Sequence, residues 1–256
     1  MSCWNGSKRR AVKLSEHYLI PDWPAPASVR TVQTTRTGGV SLAPYDSMNL
    51  GLHVGDDPVR VNRNRQSLSA LLPSEPVWLE QVHGTVVANA DAAACRVVAD
   101  ASIARQRGSV CVVMTADCLP VLLCDEDGTV VGAAHAGWRG LCDGVIEATV
   151  QAMDVAPHKL MAWLGPAIGQ AAFEVGEEVR SAFVARLPQA AQAFIPHSHQ
   201  GKYHADIYLL ARQRLNALGI SRVYGGDYCT YHQESAFFSY RRDGVTGRMG
   251  TFIWLA

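Results

Sequence analysis

Apolar and polar positions alternate most tellingly in the centre of the chain. SVCVVMTA (109–116) is a continuous apolar, β-branched run of strand length, the pattern of a strand buried on both faces. LPVLLCD (119–125) is a second such run, the EDG turn (126–128) interrupts it, and TVVGAAHAG (129–137) supplies a third. Three further strands are expected. SVRTVQTTR (28–36) places β-branched residues at alternate positions, PVWLEQVHG (76–84) alternates Val77, Leu79, Gln81 and His83 before a Gly turn, and MAWLGPAIG (161–169) is an apolar run closed by a turn. The C-terminal segment ends in an apolar strand. Helical spacing is found in VRVNRNRQSLSALL (59–72), GLCDGVIEATVQAM (140–153), EVGEEVRSAFVARL (174–187) and DIYLLARQRLNALG (206–219), the last closing at Gly219. Between the first strand and the first helix, GGVSLAPYDSMNLGLHVGDDP (38–58) is a long loop, of a size that compact domains usually reserve for function. Strands and helices mix without a strict βαβ rhythm. The expected class is α+β: a single-domain α/β sandwich with mixed β-sheets over residues 18–256, preceded by a flexible tail at 1–17.

Composition narrows the function. The 256 residues are 48% hydrophobic and 18% charged, with formal net charge zero, so no global field draws the chain to nucleic acid or an anionic membrane. No apolar run approaches the ~18 residues that span a bilayer. The first residues lack the apolar stretch of a secretory signal, and a cytoplasmic location is expected. Seven cysteines, irregularly spaced and without a C-x-x-C pair, are neither a disulfide framework nor a four-cysteine zinc site. Most are expected to be small buried hydrophobes.

Three segments place a His or Cys where an apolar strand gives way to a turn: QVHG (81–84), TADCLP (115–120) and AAHAGWRG (133–140). A catalytic zinc takes three protein ligands from neutral imidazole and thiolate and keeps one open position, and His83, Cys118 and His135 meet that requirement. Their spacings of 35 and 17 residues are too long for a finger and suit ligands delivered by separate strands. Asp117 is placed to orient a ligand or to relay protons. The same residue types also allow a metal-free reading, with Cys118 as nucleophile and His135 as its base. Copper outranks zinc in affinity and would fit the same trio. A multicopper cluster needs roughly ten His and Cys ligands. The chain has nine histidines and a single H-x-H, His197-Ser198-His199. Cationic candidates for an anion are Arg36 of TTRTGG, Arg139 of HAGWRG, and Arg241, Arg242 and Arg248 of FFSYRRDGVTGR.

At these residues the sequence resembles a known family. TTRTGGVSLAPYDSMNLGLHVGDDP, WLEQVHG, TADCLPVLL, AAHAGWRGL, WLGPAIG, FEVG and FFSYRRDGVTGR, in order from about residue 18 to the end, are similar to the signatures of bacterial laccase-domain proteins. That family was once called polyphenol oxidase and is now regarded as zinc-dependent purine nucleoside phosphorylase. The resemblance implies zinc on His83, Cys118 and His135. It also implies phosphorolysis of adenosine, inosine and S-methyl-5′-thioadenosine, with deamination of adenosine as a second activity. A link to peptidoglycan precursor editing keeps the Cys–His hydrolase alternative open. One segment departs: ADASIARQ stands where a motif closer to ADGLVT is expected. The expected partners are therefore a purine nucleoside and phosphate, with no nucleic acid and no membrane, on a monomer or weak homodimer.

Overall fold

The computed structural model describes residues 17–92 and 97–256. Its strands, in chain order, begin with β1 (Tyr18–Leu19), β2 (Val29–Thr34), β3 (Leu79–Glu80), β4 (Val87–Asn89) and β5 (Val97–Val98). There follow β6 (Ala101–Ala104), β7 (Val110–Thr115), β8 (Leu119–Asp125), β9 (Val131–Ala136) and β10 (Leu160–Leu164). The last are β11 (Glu174–Gly176), β12 (Phe194–Pro196), β13 (Lys202–Ala205), β14 (Arg222–Gly225) and β15 (Met249–Leu255). The helices are α1 (Pro58–Ser67), α2 (Trp138–Asp143), α3 (Val145–Met153), α4 (Glu177–Arg186), α5 (Ile207–Ala217) and α6 (Tyr240–Asp243).

The three central apolar runs become β7, β8 and β9, and the period of two along each decides the layering. Cys111 and Val113 of β7, Leu122 and Cys124 of β8, and Val131 and Ala133 of β9 meet in one buried cluster with Ile253 and Leu255 of β15. That cluster is the seam between two sheets. One sheet has the order β1-β2-β15-β7 and the other β14-β10-β8-β9-β6-β4. The opposite side chains of β8 and β9 (Leu119, Val121, Leu123, Ala134, Ala136) pack on Val145, Ile146 and Val150 of α3 and on Leu210 and Leu215 of α5. The opposite side chains of β7 and β15 (Val112, Met114, Phe252) pack on Met48, Leu50 and Leu68. The strands are continuously apolar because both their faces are covered, and each such side chain contributes roughly 1.5–3 kcal/mol on burial. The first sheet is antiparallel. The second is mixed, with an antiparallel β8–β9 pair (Leu119↔Ala136) and a parallel β4–β6 pair. The expected α+β sandwich with mixed sheets is the fold observed.

Some boundaries differ from the sequence reading for local reasons. The helix expected over 140–153 is two helices, because Gly144 adopts φ +106°, ends α2 through its N–H on the Gly140 carbonyl, and starts α3. Residues 174–176 are β-strand, and the helix starts only at Glu177. The 76–84 strand shortens to Leu79–Glu80, with one further bridge at Val77. Helix α5 starts where Asp206 accepts the Leu209 N–H at 2.9 Å. The expected tail at 1–17 lies, save His17, outside the described residues, as do Cys3 and Cys95. Among the described residues no helix is long and apolar enough to cross a membrane.

The 38–58 loop is held by one side chain. Asn64 of α1, buried, accepts the Val40 N–H at 2.8 Å and donates to the Asn49 carbonyl (2.9 Å), the Ser47 carbonyl (3.1 Å) and Ser41 Oγ (3.0 Å). A long polar loop thus has its buried backbone groups paired and is laid against the outer face of the four-stranded sheet.

Candidate metal centre

The ligand trio arises from three strand ends. His83 lies in the turn after β3, Cys118 in the turn between β7 and β8, and His135 near the end of β9. The pairing of β8 with β9 sets Pro120 opposite His135, which brings Cys118 beside it. The ligand atoms of His83, Cys118 and His135 all lie within 4.8 Å of one another. Cys118 Sγ is 3.8 Å from His83 Nε2. Tetrahedral zinc with its usual bond lengths would set a sulfur and a nitrogen ligand about 3.6 Å apart. The donor set, one thiolate and two imidazoles at near-coordination spacing, fits a mononuclear metal. Gly137 is required there: a Cβ on it would lie 2.8 Å from His83 Cδ2 and 3.0 Å from Cys118 Sγ.

Asp100, fully buried, organises two of the ligands. Its Oδ1 accepts the His83 backbone N–H at 2.9 Å and is 2.8 Å from His135 Nδ1. Its Oδ2 accepts the N–H groups of Gly84 (2.7 Å) and Val82 (3.1 Å). One carboxylate therefore shapes the His83 turn and fixes the His135 ring with Nε2 left for a metal. Burial would raise the Asp100 pKa, but the His135 hydrogen bond, the Gly84 and Val82 N–H groups and the charge of His135 together lower it. Gln81 bolts the same turn to β7, exchanging two 2.8 Å bonds with the Met114 backbone.

Cys118 and His135 favour each other's charged forms. Burial opposes a thiolate at Cys118, but the charge and hydrogen bond of His135, then those of His83, outweigh it and bring the thiol down to about 6. Burial likewise opposes an imidazolium at His135, and Cys118 and Asp100 bring it up to about 9. By contrast, burial pushes Cys111 and Cys124 up to about 12, in keeping with inert core thiols.

The trio lies in the wall of a cavity of about 520 Å³, within the range of small-molecule sites. Its lining combines apolar Trp138, Ile168, Phe173 and Ile207 with polar His53, Gln81, Asp117, Tyr240, Arg241 and Arg248. His53 comes from the long loop. Its pKa is lowered by burial, then by the positive charges of Arg248, Arg65 and His135.

The other expected site residues are distributed unevenly. Asp117 reaches the cavity, but both its oxygens are engaged: Oδ1 accepts from Thr230 Oγ1 and Oδ2 from the Arg241 N–H, each at 2.6 Å. Its place is that of a brace beside Cys118. Arg241 lines the cavity while its Nη1 donates to the Glu174 carbonyl at 2.9 Å. Arg36 is not brought there; it donates to the Asp46 carbonyl (3.1 Å) and the Glu234 carbonyl (3.2 Å) and lines a separate depression. Arg139 is exposed, next to its neighbour's indole ring, and is absent from the lining. Arg248, a cationic candidate from the same segment as Arg241, lines the cavity as well, and Asp100 was not among the expected residues. For Asp100 the available signal was an acid at the head of the short apolar strand β6, which needs partners if buried.

The family model described as multi-copper polyphenol oxidoreductase laccase matches residues 30–256. The purine nucleoside phosphorylase YfiH of Escherichia coli is 57% identical over 242 residues, covering 93% of this chain and 98% of the relative. A Pseudomonas aeruginosa protein, also named purine nucleoside phosphorylase, is 55% identical over 239 residues, with coverages of 93% and 98%. A Neisseria meningitidis crystal structure superposes with TM-score 0.89 at 52% identity, covering 93% of this chain and 99% of that one. YlmD of Geobacillus stearothermophilus superposes with TM-score 0.87 at 32% identity, covering 95% and 97%.

Proposed function

The chain belongs to the family described as multi-copper polyphenol oxidoreductase laccase, and from that membership we propose that it is a zinc-dependent purine nucleoside phosphorylase with adenosine deaminase activity. The observation that carries the proposal is the His83–Cys118–His135 trio in the wall of a nucleoside-sized cavity. The names of relatives more than half identical to this chain support the phosphorylase part. Among the described residues His83, Cys118 and His135 form the one group of three or more such donors close enough to share a metal, an arrangement for one ion rather than for a copper cluster. Zinc is proposed over copper because His2Cys with an open fourth position suits it. Cytoplasmic placement, a monomeric or weakly dimeric state and small-molecule substrates belong to the same proposal.

In phosphorolysis a phosphate oxygen bonds to C1′ of the ribose while the glycosidic C–N bond breaks. The electron pair leaves with the purine, and the proton of hydrogen phosphate passes to the departing base. Bound by His83, Cys118 and His135, zinc would supply Lewis acidity in the cavity. The chain's own residues do the rest. Asp100 holds His135 in the tautomer that leaves Nε2 free, and Gln81 keeps the His83 turn on β7. Trp138, Ile168 and Phe173 displace water from around the reactants. Deamination in the same cavity would form a C6–O bond from water and break the C6–N bond of adenosine, releasing ammonia and leaving inosine.

The test is release of hypoxanthine from inosine by protein of measured zinc content, with and without phosphate. Phosphate-dependent release that disappears with the metal, and in His83→Ala and His135→Ala, supports the proposal. Equal release without phosphate, or full activity after chelation, overturns it. A second reading, Cys118 as nucleophile with His135 as base, is favoured by the thiol's fall to about 6. It predicts turnover in chelated protein and a covalent adduct on Cys118.

A further inference from the structure

Among the described residues, no carboxylate forms an ion pair with Arg248. This arginine immediately precedes β15, and the 38–58 loop clamps it: its N–H donates to Asn49 Oδ1 at 2.9 Å and its carbonyl accepts the Leu50 N–H at 3.1 Å. Gly51 passes so close that a Cβ there would lie 2.9 Å from Arg248 Cγ. Nη1 is used up on the Thr246 and Gly247 carbonyls, both at 3.0 Å. Among the described residues no acceptor meets Nε or Nη2, and no carboxylate pairs with the guanidinium. Arg214 and Arg242, by contrast, have Glu147 at 2.9 Å and Asp243 at 2.8 Å; Arg241, the other cavity arginine, also bonds only carbonyls through Nη1 but is exposed, whereas Arg248 is half-buried. Arg248 nonetheless lines the cavity that holds the metal trio, with its guanidinium 5.9 Å from the Tyr240 ring.

A half-buried guanidinium whose Nε and Nη2 bond no protein acceptor offers an oxyanion a charge-assisted, bidentate fork facing the cavity. The burial is reflected in a lowered Arg248 pKa, which the negative charges of Cys118 and Asp117 only partly offset. The cavity as a whole also favours an anion. With a divalent ion on the trio, that ion, Arg241 and Arg248 outweigh the thiolate and the two carboxylates, Asp100 and Asp117.

We propose that Arg248 holds the oxyanion co-substrate in this cavity, inorganic phosphate, through the free edge of its guanidinium. The inference rests on the phosphorylase reading for the identity of the anion. It also gives the long loop a role, since Asn49, Leu50 and Gly51 fix the arginine that the anion meets.

The experiment uses the zinc-loaded full-length protein. Binding of inorganic phosphate is measured by titration calorimetry, and phosphorolysis of inosine is followed at varied phosphate and varied nucleoside. Arg248→Gln is expected to raise the phosphate Kd and the phosphate KM about tenfold or more, the loss of one charge-assisted fork. The nucleoside KM should change less than about twofold. Arg248→Lys keeps the charge without the fork and should fall between, and it tests the proposal should the Gln variant not fold. Arg63→Gln, on an exposed helix face, is the control. If wild type phosphorolyses inosine but Arg248→Gln and Arg248→Lys bind phosphate as tightly as wild type, the assignment of Arg248 fails and the phosphorylase reading stands. If phosphate binds wild type in an Arg248-dependent way but releases no base, the phosphorylase reading fails and the anion site stands. If wild type neither binds phosphate nor turns over, both fall.

Discussion

Replacing Asp100 by Asn changes one atom of the carboxylate and tests how the metal site is held. The two oxygens of Asp100 divide four partners. Oδ1 meets the His83 N–H and the His135 ring, and Oδ2 meets the N–H groups of Val82 and Gly84. An asparagine must place its NH2 in one of those positions. At the Oδ2 position, it sets donors against two backbone donors. At the Oδ1 position, it opposes the His83 N–H and forces His135 to accept at Nδ1, which puts the ring proton on Nε2, where a metal should bind. Either orientation loses about two hydrogen bonds to a charged group, roughly 3–6 kcal/mol at 1.5–3 kcal/mol each. Part of that falls on folding and part on metal binding. Loss of such an outer partner typically lowers metal affinity ten- to a hundredfold, or about 1.4–2.8 kcal/mol. The assay is zinc competition against a chromophoric chelator at neutral pH, paired with urea unfolding of the metal-free proteins. The pH dependence has a defined sign. Because the folded-state pKa of Asp100 is lowered, its contribution is complete above the ordinary value of 3.8 and fades as pH falls through the lowered folded value. Wild type and Asp100→Asn should therefore converge in stability only in strong acid. A zinc affinity in Asp100→Asn within about twofold of wild type would refute the reasoning.

Three further outcomes are expected. In metal-free protein, iodoacetamide should alkylate Cys118 with a rate that rises through about pH 6, and Cys118→Ser should abolish that component; a midpoint near the ordinary thiol value of 9.0 would show the pairing with His135 to be wrong. Gly137→Ala should lose zinc while keeping its far-UV circular dichroism, since the new methyl would press on His83 Cδ2 and Cys118 Sγ at 2.8 and 3.0 Å; stoichiometric zinc by elemental analysis in that variant would contradict the geometry. Asn64→Ala strips the 38–58 loop of one acceptor and three donor contacts and should cost about 2–4 kcal/mol in denaturant unfolding, with faster proteolysis inside the loop; unchanged cleavage would mean that the loop is held otherwise.

The parts of this structure that the sequence announces are those decided locally. Runs such as SVCVVMTA and LPVLLCD are strand-length and apolar at every position, which only a strand covered on both faces explains, and they became β7 and β8. The trio was legible because each of its members interrupts such a run with a residue that an apolar strand end does not need. What stayed hidden depends on orientation and distant pairing. Nothing in TTRTGG separates Arg36, turned onto the Asp46 and Glu234 carbonyls, from Arg248, whose free edge meets the cavity. Asp100 sits 17 residues after His83 and 35 before His135, and its role exists only once β6 has paired with β9 (Ala101↔Ala134). The break at Gly144 was present as a D-G pair, but the helical spacing on both sides of it concealed the turn.

Backbone conformation ties these observations into one account of the site. Of the described non-glycine residues, His83, Asp117 and Asp154 have positive φ, at 62°, 92° and 46°. Two of the three are a candidate metal ligand and the neighbour of another. Such a conformation costs about 1–3 kcal/mol per residue, so something must hold each turn there. At His83 it is Asp100, which gathers three consecutive N–H groups. At Asp117 it is that residue's own carboxylate, which draws in Thr230 and the Arg241 N–H, while its carbonyl accepts the Ile168 N–H at 2.9 Å. Two carboxylates thus do the same physical work at two turns, and neither needs a metal to do it. The three candidate ligands are aimed by hydrogen bonds from within the chain. With both oxygens engaged at 2.6 Å, the acid next to Cys118 braces the turn that carries the thiol.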